Sequence, residues 1–496
     1  MSSSSSSIKV RFLIEKEEKR VVYVEAGSDF VDVLFSFLTL PLGAIVRLLK
    51  KRSGLGSLDS LYESIEQLDV EHLQTKACKE MLLNPRSAAA RLCEDLKVKG
   101  IHELKPRSFY TCRQDGCLIH YICCFTYSSN VLCSRCGELM DRIWEWKKKT
   151  TEEGGVFVKA TTEFMITDDL RVMPASLLKS LSLLKEMHIK DTSMLEERVM
   201  QFGTKEVSCL LYSFLALNLL GRSLVSKKAL TEVCFSDACV QESASFYLPI
   251  KEEMVDDEAQ NEIKVELILN KKNNNVLYAD VGDDFVNQLF NFLAFPLGSV
   301  LKCISDNMSS LSLGGCIQNL YSSVENMGLE YFKSEICRNM LLTPKLATFF
   351  GYKNQLILKL EEITALTSTV KGSCAKCYVD NGCKTCSSTQ CAHGIKESKF
   401  VEQNPKSAKG LLDDGGGFVV GCRRFGIMDN LHISLLSTIS AVVNGQNLSI
   451  SDLVGEELSL DKCKALSLLR AMMISKAVLT DVFAPRRKRP RQNSTK

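Results

Sequence analysis

The chain has 496 residues, enough for about two to four domains of ordinary size. With 45% hydrophobic and 24% charged residues and only 10 prolines, its composition is that of a globular protein, which excludes collagen, a coiled-coil rod and wholesale disorder. The 62 Lys+Arg and 59 Asp+Glu leave a formal charge of +3; residues 485–496 carry six bases and no acid, so the rest is near neutral, which argues against a broad basic face for duplex nucleic acid.

Residues 1–7 include six serines and are expected to be disordered. The charged stretch that follows lacks the apolar segment of a secretory signal, so the expectation is a nuclear or cytoplasmic protein, not a secreted one. In such a reducing compartment 21 cysteines are read as thiols, metal ligands or redox sites rather than as a disulfide framework. No uninterrupted apolar run reaches 18 residues, so no membrane span is expected.

Ile8, Val10, Phe12 and Ile14 alternate with mostly polar neighbours, and a β-branched run follows at Val21 to Val24, which together predict a β-hairpin. Asp29 is a candidate cap for a helix whose apolar face is Phe30, Leu34, Phe37 and Leu38, limited by Pro41. Helices are expected over 58–68 and 73–83, the latter stopped by Pro85. A cysteine-rich stretch comes next, then short strands near 156–159 and 163–166, and a helix over 177–187. Ser193 with Glu196 reads as a capping box opening further helices that run to about Cys234.

The pattern then begins again. Ile8–Gly43 and Ile263–Gly298 share 17 identities in 36 ungapped positions, where chance would give about two. After a four-residue slip, 56–88 pairs with 315–347; further on, GGVFVK at Gly154 matches GGFVV at Gly416, and SKKALTEV at Ser226 matches SKAVLTDV at Ser475. The sequence is therefore read as two tandem α+β copies, 8–240 and 263–484, joined by an acidic linker at 241–262 and followed by the basic tail 485–496. Each copy is expected to be a hairpin plus helices with a cysteine-rich, zinc-ribbon-like insert, at about 106–140 and 374–393, and a helical C-terminal part.

Those inserts carry the strongest chemical signal. Cys112, Cys117, Cys133 and Cys136 are spaced as two pairs separated by a loop, and Cys374, Cys377, Cys383 and Cys386 form two C-x-x-C pairs in the second copy. Two such pairs deliver four thiolates to one tetrahedral structural zinc. The competing readings are ordinary buried thiols, which suffice for Cys209, Cys303 and Cys463, and a reversible redox pair. Asp168-Asp169-Leu170 and Asp429-Asn430-Leu431 occupy matching places; paired carboxylates can do acid–base work, but the second copy keeps one acid only, and a turn is the expected role. The glycines Gly43 and Gly298 fit turns and helix ends, and no phosphate-binding fingerprint is present. Trp144 and Trp146, beside Lys147 to Lys149, offer a base-stacking surface, though the end of a solvated helix is the expected account. In the tail, Arg486, Arg487, Lys488, Arg489 and Arg491, flanked by prolines, have the composition of a nuclear-import signal.

The opening 36 residues, MLLNP, the C-x-x-C-G turn, FVKATTEFMITDDL and SKKALTEV together resemble a plant family catalogued only as a domain of unknown function. The resemblance spans nearly the whole chain, twice, and implies architecture and a plant source without a reaction or ligand. With no catalytic residues assigned, the expectation is a non-enzymatic interaction or scaffold protein with a protein partner and no membrane. The alternatives are a nuclear factor touching nucleic acid through its tail, and a thiol-based redox protein.

Overall fold

The structure is a computed structural model and describes residues 8–98, 100–102, 105–118, 122–146, 155–202, 206–235, 262–307, 314–365, 367–371, 397–407, 416–435 and 450–484. The first copy contributes β1 (Ile8–Glu15), β2 (Arg20–Gly27), α1 (Ser28–Ser36), α2 (Leu42–Leu48), α3 (Leu58–Gln67), α4 (Lys76–Leu83), α5 (Ala90–Cys93), β3 (Ser108–Thr111), α6 (Asp115–Leu118), β4 (Ile122–Thr126), β5 (Arg142–Glu145), β6 (Glu163–Thr167), β7 (Val172–Pro174), α7 (Leu177–Glu186), β8 (Leu195–Phe202), α8 (Glu206–Val225) and α9 (Ala229–Phe235). The second contributes β9 (Ile263–Asn270), β10 (Val276–Gly282), α10 (Asp283–Ala294), α11 (Leu297–Asn307), α12 (Ile317–Asn326), α13 (Glu335–Leu342), β11 (Thr367–Lys371), β12 (Glu397–Glu402), β13 (Arg424–Met428), β14 (Ile433–Leu435), β15 (Leu453–Leu460), α14 (Lys462–Ile474) and α15 (Val478–Phe483). The protein is α+β.

Alternation in β1 puts Ile8, Val10, Phe12 and Ile14 inside and leaves Lys9 and Arg11 exposed. It pairs antiparallel with β2, with Lys19 in the left-handed region in the turn, and its other edge pairs over all eight residues with β8. The resulting sheet has the order β7-β6-β2-β1-β8; the second copy builds β14-β13-β10-β9-β15 in the same order. The helix expected from Ser193 is thus a strand. Asp191 caps a single 3-10 turn, accepting the Ser193 N–H at 2.9 Å, and the open edge of β1 then takes the chain into a ladder. Long-range pairing overrides the local capping pattern. Two smaller expectations also fail. Gly27, not Asp29, caps α1, and Asp29 instead pairs with Lys97 at 2.5 Å. Residues 156–159 bend rather than forming a strand, with one isolated bridge from Val158 to Phe332.

The chain divides into two compact units, one of Met1–Gly54, Asp69–Ala244 and Asn287–Val420, the other of Leu55–Leu68, Ser245–Val286 and Gly421–Lys496. Neither coincides with a sequence copy: the first unit also holds residues 287–420 of the second copy, with α11, α12, α13, β11 and β12, and the second unit holds α3 of the first copy. In the first unit, α12 lies against β7: the Ser323 hydroxyl accepts the Val172 N–H at 2.9 Å, and Asn319 Nδ2 donates to the Asp169 carbonyl at 2.8 Å. In the second unit, α3 lies against β14 with the same chemistry: Ser64 Oγ accepts the Ile433 N–H at 2.9 Å, and Asn430 Nδ2 donates to Ser60 Oγ at 3.3 Å. Each of these equivalent helices thus packs on a strand of the other copy.

Within the first unit the two Pro-Leu-Gly segments also face each other. Leu42 N–H donates to the Phe295 carbonyl at 3.0 Å and Leu297 N–H to the Leu40 carbonyl at 2.9 Å. Gly43 and Gly298, in the first turns of α2 and α11, permit this approach: a Cβ on Gly298 would sit 2.5 Å from the Leu341 carbonyl oxygen and 3.1 Å from that of Leu38. They serve close packing rather than a turn.

A third sheet, β11-β12-β4-β3-β5, joins both copies in the same unit through the parallel pair β4 and β12. Its core is Phe109, Leu118, Cys123, Phe125 and Phe400. Trp144 and Trp146 are half-buried and pack against this core, which corrects both readings of them. Trp144 lies in β5, not on a helix, and donates Nε1–H to Thr111 Oγ1 at 2.8 Å; Trp146 stacks on Phe109 at 4.4 Å. Their ring faces are used in packing rather than offered to a base.

Candidate metal centre

Strand β3 ends at Thr111 and delivers Cys112; the short helix α6 carries Cys117. The other pair sits on a hairpin tip. Leu132 and Leu139 bridge antiparallel, Met140 N–H donates to the Val131 carbonyl at 2.9 Å, and Cys133 N–H donates to that of Glu138 at 2.8 Å. The chain between them turns through Gly137, whose φ of +78° is left-handed and whose N–H closes on the Cys133 carbonyl at 2.9 Å.

The four sulfurs converge. All lie within 4.8 Å of one another, with Cys112 to Cys136 at 3.3 Å and Cys133 to Cys117 at 4.0 Å. Four sulfurs at 2.3 Å from one tetrahedral ion would stand about 3.8 Å apart, so the observed spread fits a single shared ion. Cys112, Cys117 and Cys133 are buried with Ala77, Val131 and Met140, while Cys136 faces solvent. Among the described residues this is the one cluster of three or more His, Cys, Asp or Glu side chains close enough to hold a metal.

The local electrostatics favour ionisation at one corner. For Cys136, burial acts upward, but the Glu138 amide and the thiols of Cys112, Cys117 and Cys133 donate into its sulfur and hold it below the ordinary thiol value. Its partners go the other way: burial first, and then the hydrogen bond to Cys136 and the charge interaction with Cys133, push Cys112 up to about 11 and also raise Cys117. A cation among them would remove that penalty. Gln114 N–H, 3.4 Å from Cys112 Sγ, is a further backbone donor of the kind that tunes thiolate ligands.

A residue that spacing alone could not find buttresses the hairpin. Gln403 comes from the second copy, follows β12 and is 2% exposed. Its N–H donates to the Phe125 carbonyl at 2.7 Å, its Nε2 to the Leu132 carbonyl at 2.5 Å, and its Oε1 accepts the Ser134 N–H at 3.1 Å. The only hint in the sequence is its place just after a strand of the other insert.

The remaining candidates separate. Cys374, Cys377, Cys383 and Cys386, and the tail bases Arg486, Arg487, Lys488, Arg489 and Arg491, lie outside the described residues. Cys303 is buried and Cys463 half-buried. Asp168 and Asp429 hold structural positions rather than acid–base ones. Asp168 accepts Thr231 N–H at 2.8 Å and Thr231 Oγ1–H at 2.7 Å; Asp429 accepts the same two groups of Thr480 at the same distances. Burial raises both carboxyls. Those threonine hydroxyls in turn accept Val21 N–H and Val276 N–H, each at 2.8 Å, tying α9 to β2 and α15 to β10.

Among the described residues no helix is long and apolar enough to cross a membrane. A family model described as "Protein of unknown function (DUF674)" matches residues 4–314 and again 309–496. The chain belongs to that family. No curated protein and no solved structure matches it.

Proposed function

We propose that this chain is a non-enzymatic scaffold of two tandem α+β copies, each with a zinc-ribbon-like insert, and that Cys112, Cys117, Cys133 and Cys136 hold one structural zinc. The observation that carries the reading is the convergence of four thiols within 4.8 Å. Four protein thiolates fill a tetrahedral shell and leave no position for a substrate or activated water, as structural rather than catalytic zinc requires. Protein recognition is the role that suits the surroundings. Leu132 and Leu139, cross-strand partners on the metal-bearing hairpin, are 52% and 41% exposed, and Ile143 is 60% exposed. A rigid ion beneath such side chains fixes an apolar edge for a partner to cover. The basic tail then serves nuclear import, and the protein works in the nucleus or cytoplasm.

Elemental analysis with native mass spectrometry of the full-length chain tests the proposal. One zinc is expected from this cluster and a second from Cys374, Cys377, Cys383 and Cys386; Cys133→Ser should remove the first alone. A metal-free protein whose thiols react freely with a chromogenic disulfide would sink the zinc assignment in favour of a redox role. Iron instead of zinc would show as visible thiolate-to-iron absorption.

A further inference from the structure

A second site lies at the end of the same sheet, at Tyr127, the residue that follows β4. Arg86, Arg91, Thr126, Tyr127, Phe349 and Glu402 line a cleft of about 590 Å³, counted to its open mouth. The Arg86 guanidinium stacks on the Tyr127 ring, 3.8 Å from its centroid. The phenol oxygen accepts two hydrogen bonds, one from Arg91 Nη2 and one from Trp146 Nε1 at 2.9 Å.

Two valences in this cleft are left open. Burial holds the Tyr127 phenol above its ordinary value, against the pull of Arg91 and Arg86, so the hydroxyl keeps its proton. Among the described residues that proton has no acceptor, since both contacts at the oxygen are donors to it. Arg91 is half-buried and has no carboxylate within ion-pair reach among the described residues, so most of its five donors are unused. Arg86 and Arg91 against Glu402 leave the lining with an excess positive charge.

The wall opposite is strained. Phe349 has φ of +66°, a conformation that costs a bulky residue about 1–3 kcal/mol. Glu362 holds it there, accepting Phe349 N–H at 2.8 Å and Gly351 N–H at 2.5 Å. Strain kept in place by a half-buried carboxylate at a cleft wall is a feature of ligand sites.

We propose that this cleft binds the oxyanion group, phosphate or carboxylate, of a small metabolite, with Arg91 as the forked donor and the Tyr127 hydroxyl as the second. Guanidinium matches either oxyanion with paired N–H donors, and the phenol proton supplies the remaining hydrogen bond. Ala88, Ala347, Phe350 and Ile363 offer apolar surface for the body of the ligand.

The chain carries its own reporter. Its two tryptophans are Trp144 and Trp146, and Trp146 donates to the oxygen on which the ligand would act. Tryptophan emission of the full-length protein is titrated separately with inorganic phosphate, glucose 6-phosphate, acetate and benzoate, with sodium chloride matching ionic strength. A saturable change at millimolar concentration or below is expected. Saturation by the two phosphates alone identifies a phosphate site, and saturation by the two carboxylates alone a carboxylate site. Arg91→Gln should weaken it at least about tenfold, and Tyr127→Phe, which keeps the ring, at least about threefold. Arg113→Gln, an exposed arginine paired with Asp141 at the metal hairpin, should titrate as wild type. The assignment is overturned if no anion saturates, or if Tyr127→Phe and Arg91→Gln both titrate like the unaltered protein.

Discussion

Asp32 offers the sharpest test of the fold's energetics. This carboxylate is 1% exposed and accepts three backbone amides, Val156 at 2.5 Å, Phe157 at 2.8 Å and Val158 at 3.0 Å. Burial outweighs those bonds and lifts it from 3.8 to about 6. The native state therefore binds this proton more tightly than the unfolded chain. Stability from this source is fully present below pH 3.8 and is lost as pH rises through about 6, by about 3 kcal/mol in all. The second copy has Asn287 at the equivalent place, accepting Phe418 N–H at 2.7 Å and Val419 N–H at 3.2 Å through one oxygen. Asp32→Asn should remove the titration while leaving the Val156 N–H against an amide NH2, a cost of about 1–3 kcal/mol that does not vary with pH. The assay is urea unfolding of both proteins from pH 4 to pH 7. Acid release of any thiolate-bound metal is common to both and cancels in their difference. The variant's stability relative to wild type should rise by about 2 kcal/mol across that range. Parallel curves would refute the reasoning and mean that the amide bonds cancel the burial cost.

Other perturbations report on other parts of the fold. Gly298→Ala places a Cβ 2.5 Å from the Leu341 carbonyl oxygen and should cost about 3 kcal/mol by urea midpoint, whereas Gly43→Ala, whose closest neighbour at 3.0 Å is the Pro85 ring, should cost about 1 kcal/mol. Residues 8–240 expressed alone lack α12, leaving the Val172 N–H without Ser323, and should not melt cooperatively until the second copy is supplied as a separate chain. Trp146→Ala should lower stability by about 3 kcal/mol without creating or removing salt-dependent nucleic-acid binding, which filter binding at low salt would check. Gln403→Ala should leave zinc stoichiometry intact but speed its loss to a chelator several-fold, since the four ligands remain while the hairpin loses two clamps.

The duplication, the first strand pair and the four-cysteine spacing were legible because each is local. Alternation of two sets β1, and a short loop between C-x-x-C cysteines can hardly avoid bringing their sulfurs close. Ser193 and Trp144 were misread for the opposite reason: their local patterns are sound, but a distant strand edge and a distant aromatic core decide their state. Arg91 and Tyr127 lie 36 residues apart, and neither belongs to any spaced motif. Only tertiary structure sets α3 and α12 each against a strand of the other copy, sets Gln403 on the metal hairpin and turns two arginines onto one phenol. A sequence determines its own repeats and its short-range ligand spacings because those depend on neighbours along the chain. Which copy completes which unit depends on the packing of surfaces that chain connectivity does not specify.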